Sequence, residues 1–274
     1  LLPEHGHPIT EAEARAMGRF VDTLSGDYIA AEDVGLNPQF IDWMAMETDH
    51  AMGGETVSTG GDPSPFTAQG TFNAMKACLR HRGKDPDFAG LSVAVQGLGH
   101  VGMDLCRILH EEGALLTVAD IDETRVAEAV ASFDANAVDA THILQAKCDI
   151  LAPCALGAVI GPDEVRRLQT GIVCGAANNI LVDPAREGIS LAQEGVLYAP
   201  DFVANAGGLI WLAGLHLGYS REELDRRNEA IEETTLEILD AAADCPSTHH
   251  AAIAVAACRF AAGPTTGKEP MHAS

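Results

Sequence analysis

Lysine is nearly missing from this sequence. Only Lys76, Lys84, Lys147 and Lys268 occur, and with the arginines they give 17 bases against 40 acids, a formal net charge of −23. So acidic a chain lacks the basic face that supplies affinity for nucleic acid or an anionic membrane, and neither partner is expected. The charge fits two readings equally: a salt-adapted host, where screening relieves self-repulsion, or an acidic cytosolic protein.

Long apolar runs are also absent, none approaching the ~20 residues that span a bilayer. The opening LLPEHGHPITEAEARAMGRF lacks the basic-then-apolar order of a signal peptide. Seven cysteines (Cys78, Cys106, Cys148, Cys154, Cys174, Cys245, Cys258) are odd in number and include no CxxC pair. They read as reduced, mostly buried thiols of a cytoplasmic protein rather than a disulfide or zinc framework. His249 and His250 adjoin, with Cys245 four residues before His249, but no second ligand pair completes a metal site and none is expected.

What is present is a chain 47% hydrophobic, able to bury the core of one large domain or two smaller ones. Its organising stretch is LSVAVQGLGHVGMDLCRILHEEGALLTVADID, residues 91–122. A strand over 91–95 runs into Gly97, Gly99 and Gly102 of GLGHVG, whose intervening His100 and Val101 open a helix. A second strand over 115–119 ends at Asp120. This is a βαβ unit with a dinucleotide fingerprint: the first glycine permits the tight turn, the second lets backbone approach a pyrophosphate, and the third lets helix pack on sheet. The helix N-terminus offers unpaired N–H groups to the phosphates. Asp120 is spaced to accept from an adenosine ribose, and Ile121 and Asp122 supply no cation for a 2′-phosphate, so NAD is expected over NADP. A methyl donor bound on a similar fold is the competing reading.

Before this unit, residues 9–24 form an amphipathic helix capped by Thr10 with Glu13 at the third position, placing Ala16, Phe20 and Leu24 on one face. A short strand over 28–30, a turn over 33–37 and a helix over 38–48 follow. Residues 53–65, containing GGDPSP, form a hinge or cleft loop. A helix over 67–81, capped by Ser64 or Thr67, buries Phe72, Met75 and Leu79. After Asp122, helices over 123–132, 163–168 and 184–194 alternate with strands near 137, ending at 150–151, and over 172–174 and 196–198, as an α/β fold requires. Several strand ends finish in small residues, Pro or Asn, where an open parallel sheet binds its ligand. Helices from 209 onward, over 220–243 with Ser220 as cap and over 247–261, precede a polar tail expected to fray.

The segments YIAAEDVG, ETDHAMGG, GGDPSPFTAQGTFNAMKA, VAVQGLGHVG, LAPCALGAVI, VCGAANN and YAPDFVANAGG together resemble the glutamate, leucine, phenylalanine and valine dehydrogenase superfamily, nearest its leucine, valine and phenylalanine branch. The resemblance runs through nearly the whole chain, in order. It implies a doubly wound Rossmann-type NAD-binding domain over 56–245, part of an N-terminal substrate domain over 1–55, and a C-terminal helix and tail over 246–274 returning toward the first domain. It further implies a homo-oligomer that oxidatively deaminates an L-amino acid to a 2-oxo acid and ammonia.

Position by position, the resemblance makes Asp33 the proton-shuttling catalytic aspartate, although alone it reads as a turn residue. It places Thr67 near the nicotinamide, Ala152, Pro153 and Cys154 beside the nicotinamide ribose, Asn178 at the carboxamide, and Asn205 at the substrate or nicotinamide end. Ala31, Leu209 and Leu212 fall in the substrate pocket; the two leucines suit a branched or aromatic side chain, or equally serve as plain core. One departure stands out. The family's two active-site lysines, one in a GGGK motif, have no counterpart, since no lysine precedes Lys76. The resemblance therefore expects a fragment, a natural truncation or a non-catalytic NAD-binding protein. Arg15 and Arg19 stay protonated and do not replace a lysine base.

Overall fold

A computed structural model describes residues 9–31, 38–56 and 61–263. In chain order its elements are α1 (Glu11–Asp22), β1 (Ala30–Ala31), α2 (Pro38–Ala45), β2 (Ala51–Met52), α3 (Ser64–His81), β3 (Ser92–Gln96) and α4 (His100–Glu111). Next come β4 (Leu115–Ala119), α5 (Glu123–Phe133), β5 (Asn136–Ala137), β6 (Cys148–Pro153), α6 (Pro162–Val165), β7 (Thr170–Val173), α7 (Pro184–Gln193) and β8 (Leu197–Tyr198). The chain finishes with α8 (Asp201–Ala204), α9 (Gly207–His216), α10 (Arg221–Ala241) and α11 (Thr248–Ala262). It divides into two compact units, residues 1–67 with 206–228, and 68–205 with 229–274.

In the first unit, Thr10 caps α1 in a reciprocal capping box with Glu13, as the sequence predicts. The buried face differs from expectation. Ala14, Gly18 and Val21 are buried, while Phe20 is 58% exposed. The reason is close helix packing: a Cβ at Gly18 would stand 2.5 Å from the Met44 carbonyl oxygen of α2, so the face centred on Gly18 turns inward. Phe40, Ile41, Met44, Ala30 and Ala51 complete this core. β1 and β2 pair in parallel; β2 has no sequence forecast because two residues carry no period.

The second unit is a six-stranded parallel sheet in the order β5-β4-β3-β6-β7-β8. That is the doubly wound Rossmann-type arrangement, and its order reverses between β3 and β6, the switch point where such sheets hold ligands. β3 and β4 lie in register from Ser92 opposite Leu115 to Gln96 opposite Ala119. Central strands are buried on both faces: Val93, Ala94, Val95, Ile150, Leu151 and Ala152 are fully enclosed.

Boundaries moved where local chemistry overruled the pattern. α3 starts at Ser64, inside the expected 53–65 loop, and Asp62 rather than Ser64 or Thr67 accepts the Ser64 N–H at 2.8 Å. The helix at 163–168 shrinks to α6. A short helix, α8, forms within 199–208, where only a loop is expected. The caps Asp122 of α5, Ser220 before α10 and Ser247 of α11 all accept N–H groups from the first turn.

Candidate functional site

At the end of β3 the chain turns at Gly97, whose φ of +92° belongs to the left-handed region. A Cβ there would stand 2.7 Å from the Ala155 backbone nitrogen, so space and conformation both require glycine. Gly102, buried in α4, lies against the Gly97 carbonyl, which a Cβ would strike. At Gly99 a Cβ would meet nothing nearer than the Arg125 Nη1, at 4.0 Å. Gly99 is also the N-cap of α4 and makes no side-chain cap bond. An open backbone surface therefore meets the positive end of a twelve-residue helix whose first-turn N–H groups lack a side-chain cap, a cradle that fits a pyrophosphate. His100 is exposed and Val101 half-buried at the start of that helix.

Asp120 follows β4 beside this turn. Its Oδ2 accepts the Leu98 N–H at 2.5 Å and its Oδ1 the Asp122 N–H at 2.8 Å, so the carboxylate is fixed while its remaining lone pairs stay available to ribose hydroxyls. Across the switch point, Ala152 and Pro153 are buried at the end of β6, and the Cys154 N–H donates to the Gln96 carbonyl at 2.7 Å. Burial pushes the Cys154 thiol up to about 11, and burial raises Cys106 still further. All seven cysteines are free, and these two are unreactive thiols at neutral pH.

The structure also joins Asn178 and Asn205, 27 residues apart. Asn205 Nδ2 donates to Asn178 Oδ1 at 2.6 Å and to the Ala176 carbonyl at 3.3 Å. A residue that sequence reasoning missed holds them in place: buried Asp201, on α8, accepts the Ile180 N–H at 2.7 Å and the Tyr198 hydroxyl at 2.9 Å through Oδ2. The Asn178 loop is thus tied to the helix that precedes Asn205. Burial, with the Asp201 charge beside it, pushes the Tyr198 phenol up, so it remains a donor. An acid between Pro200 and Phe202 was the available signal.

In the other unit, Gly207 and Gly208 let α9 approach the start of α3; a Cβ at Gly208 would stand 2.6 Å from Thr67 Oγ1. Thr67 therefore adjoins the turn of α9 that leads to Leu209 and Leu212. Leu209 is 72% exposed and Leu212 half-buried, so Leu209 is not core. Ala31 is exposed at the end of β1. Asp33 lies outside the described residues. Among the described residues no group of three or more His, Cys, Asp or Glu side chains is placed to hold a metal ion.

A family model described as glutamate/leucine/phenylalanine/valine dehydrogenase matches residues 115–258. The chain belongs to this family. It is 43% identical to the leucine dehydrogenase of Thermoactinomyces intermedius over 233 residues, 85% of this chain and 63% of that one. With the leucine dehydrogenase of Geobacillus stearothermophilus it shares 44% over 222 residues, 81% and 60% of the two chains. The crystal structure of L-tryptophan dehydrogenase from Nostoc punctiforme superposes with a TM-score of 0.79 at 37% identity, covering 92% of this chain and 73% of that one. The chain thus spans about three-fifths of the length of the leucine dehydrogenases it matches.

Within this amino-acid dehydrogenase family, the resemblance read from the motifs holds. The glycine turn, Asp120, the end of β6 and the asparagine pair all fall in the unit built on the parallel sheet.

Proposed function

We propose that the protein is an NAD-dependent dehydrogenase that oxidatively deaminates an apolar L-amino acid to its 2-oxo acid and ammonia. The observation that carries the reading is the open Gly99 turn at the uncapped N-terminus of α4, with the fixed Asp120 carboxylate beside it, in a chain of this family. NAD supplies the hydride acceptor. The chain's own residues bind and orient it: α4 faces the pyrophosphate, Asp120 accepts from the adenosine ribose, and Asn178 and Asn205 form a polar pair for the nicotinamide end. Ala152, Pro153 and Cys154 are assigned to the nicotinamide ribose, and the family pattern alone assigns Thr67 to the nicotinamide.

Exposed, apolar Leu209 with Leu212 supports a branched or aromatic side chain, because a distal carboxylate would find no cation in either residue. Asp33 is assigned the proton shuttle by the family pattern alone. The free thiols support a reducing, cytoplasmic setting, and the family supports a homo-oligomer.

Calorimetry of residues 1–274 with NAD, and NADH formation with leucine, valine, phenylalanine, tryptophan and glutamate, test this reading. NAD is expected to bind, and the apolar substrates to be used ahead of glutamate. Since the first lysine is Lys76, turnover is expected to rise by ~10²–10⁴ when a GGGK-bearing segment is fused ahead of Leu1, the usual range for a general base. Failure to bind NAD, or preference for glutamate, would sink the proposal.

A further inference from the structure

The residues immediately after Asp120, Ile121 and Asp122, hold no cation, and by sequence order the adenosine end of the site is purely acidic. The fold brings one back. Asp122 caps α5 by accepting the Thr124 N–H at 2.9 Å, which starts the helix and places Arg125 in its first turn. Arg125 Nε sits 3.5 Å from Asp122 Oδ2, and the guanidinium reaches to within 4.0 Å of where a Cβ would stand at Gly99. Half-exposed, it therefore lies at the glycine proposed to face the phosphates, in the first turn of the helix that follows Asp120.

Asp120 is pinned by the Leu98 and Asp122 N–H groups and cannot swing aside. A 2′-phosphate entering here meets a fixed negative charge and, from the first turn of α5, a planar cation suited to phosphate oxygens. We propose that Arg125 is a specificity-determining residue of the dinucleotide site, a standing cation for a ribose 2′-phosphate, so that discrimination against NADP rests on Asp120 alone. The proposal rests on the dinucleotide reading above.

The test is a double-mutant cycle, with the affinities of NAD and NADP measured by calorimetry for the parent, Asp120→Ser, Arg125→Ala and the double variant. Asp120→Asn serves as a second version of the first change, because Asp120 also anchors the turn, and thermal melts confirm folding. The parent is expected to prefer NAD, and Asp120→Ser to bind NADP about tenfold more tightly than the parent. Adding Arg125→Ala should remove about that tenfold while moving NAD by less than about threefold, the scale of one charge-assisted phosphate contact; Arg125→Lys should keep part of the gain. NADP binding equally tight in the double variant and in Asp120→Ser would overturn the proposal. So would an equal loss for both dinucleotides on Arg125→Ala, which would make it a pyrophosphate contact. A parent that binds neither dinucleotide would instead overturn the function proposed above, and this inference with it.

Discussion

Asp201 shows how one buried side chain supports an exposed asparagine, Asn178, and a half-buried one, Asn205. Its Oδ2 accepts from the Ile180 amide and the Tyr198 hydroxyl in a region closed to water, and those bonds fix the loop of Asn178 against the helix before Asn205. Replacing Asp201 with Ala leaves two buried donors without an acceptor, each costing about 1–3 kcal/mol. Asp201→Ala is therefore expected to lower unfolding stability by about 2–4 kcal/mol in urea titrations and to weaken NAD binding. Asp201→Asn, which keeps a carbonyl acceptor, should cost less. Equal stabilities of Asp201→Ala and the parent would show that the amide and hydroxyl find other partners.

At the scale of elements, the switch point between β3 and β6 is pinned at its far end by Ser92 and Asp149. The Ser92 N–H and hydroxyl both donate to Asp149 Oδ2, at 2.9 and 2.7 Å, and the Asp149 N–H donates back to the Ser92 oxygen at 2.9 Å. This clasp sits one residue before the register of Val93 opposite Ile150, so it fixes the alignment that presents the strand ends to ligand. The Ser92 hydroxyl, followed by its amide, holds the Asp149 carboxyl below its ordinary value. A depressed folded value means the stabilisation is fully present above the unfolded value of ~3.9 and is lost as pH falls through the lower folded one. Ser92→Ala is expected to cost about 1–2 kcal/mol at pH 7, with the gap to the parent narrowing as pH drops below ~4. Denaturant midpoints across that range check it; a gap independent of pH would remove the carboxylate from the account.

For the whole molecule, the excess of acids is the governing quantity. Arg15 pairs with Glu11 and Glu47, Arg107 with Asp104 and Glu111, and Arg226 and Arg227 with Glu223. The exposed pairs among these contribute about 0–1 kcal/mol each and weaken in salt. The formal charge of −23 repels itself over distances that screening shortens from ~10 Å at 0.1 M salt to ~3 Å at 1 M. Repulsion among the excess acids outweighs the attraction of such pairs, so the thermal midpoint should rise by several degrees from low to high KCl. A midpoint that stays or falls would remove the salt-adapted reading.

The sequence by itself determined what is local. A glycine at φ +92°, an N-cap threonine answered by Glu13, and a carboxylate closing the strand after GLGHVG depend on backbone conformation and on neighbours a few residues away. Hence the fingerprint, most helices and the family were legible there. Tertiary packing alone decided what is distant. The strand order, the joining of residues 206–228 to the first unit, the inward face of α1 and the Asn178–Asn205 pair each depend on which surfaces bury one another. Arg125 is the clearest case: 26 positions separate it from Gly99, and it reaches that glycine because β4 lies parallel to β3 and α5 starts at the same edge. Periodicity and spacing describe a segment and its own neighbours, whereas a charge arriving from another strand end is fixed only when the sheet closes the distance.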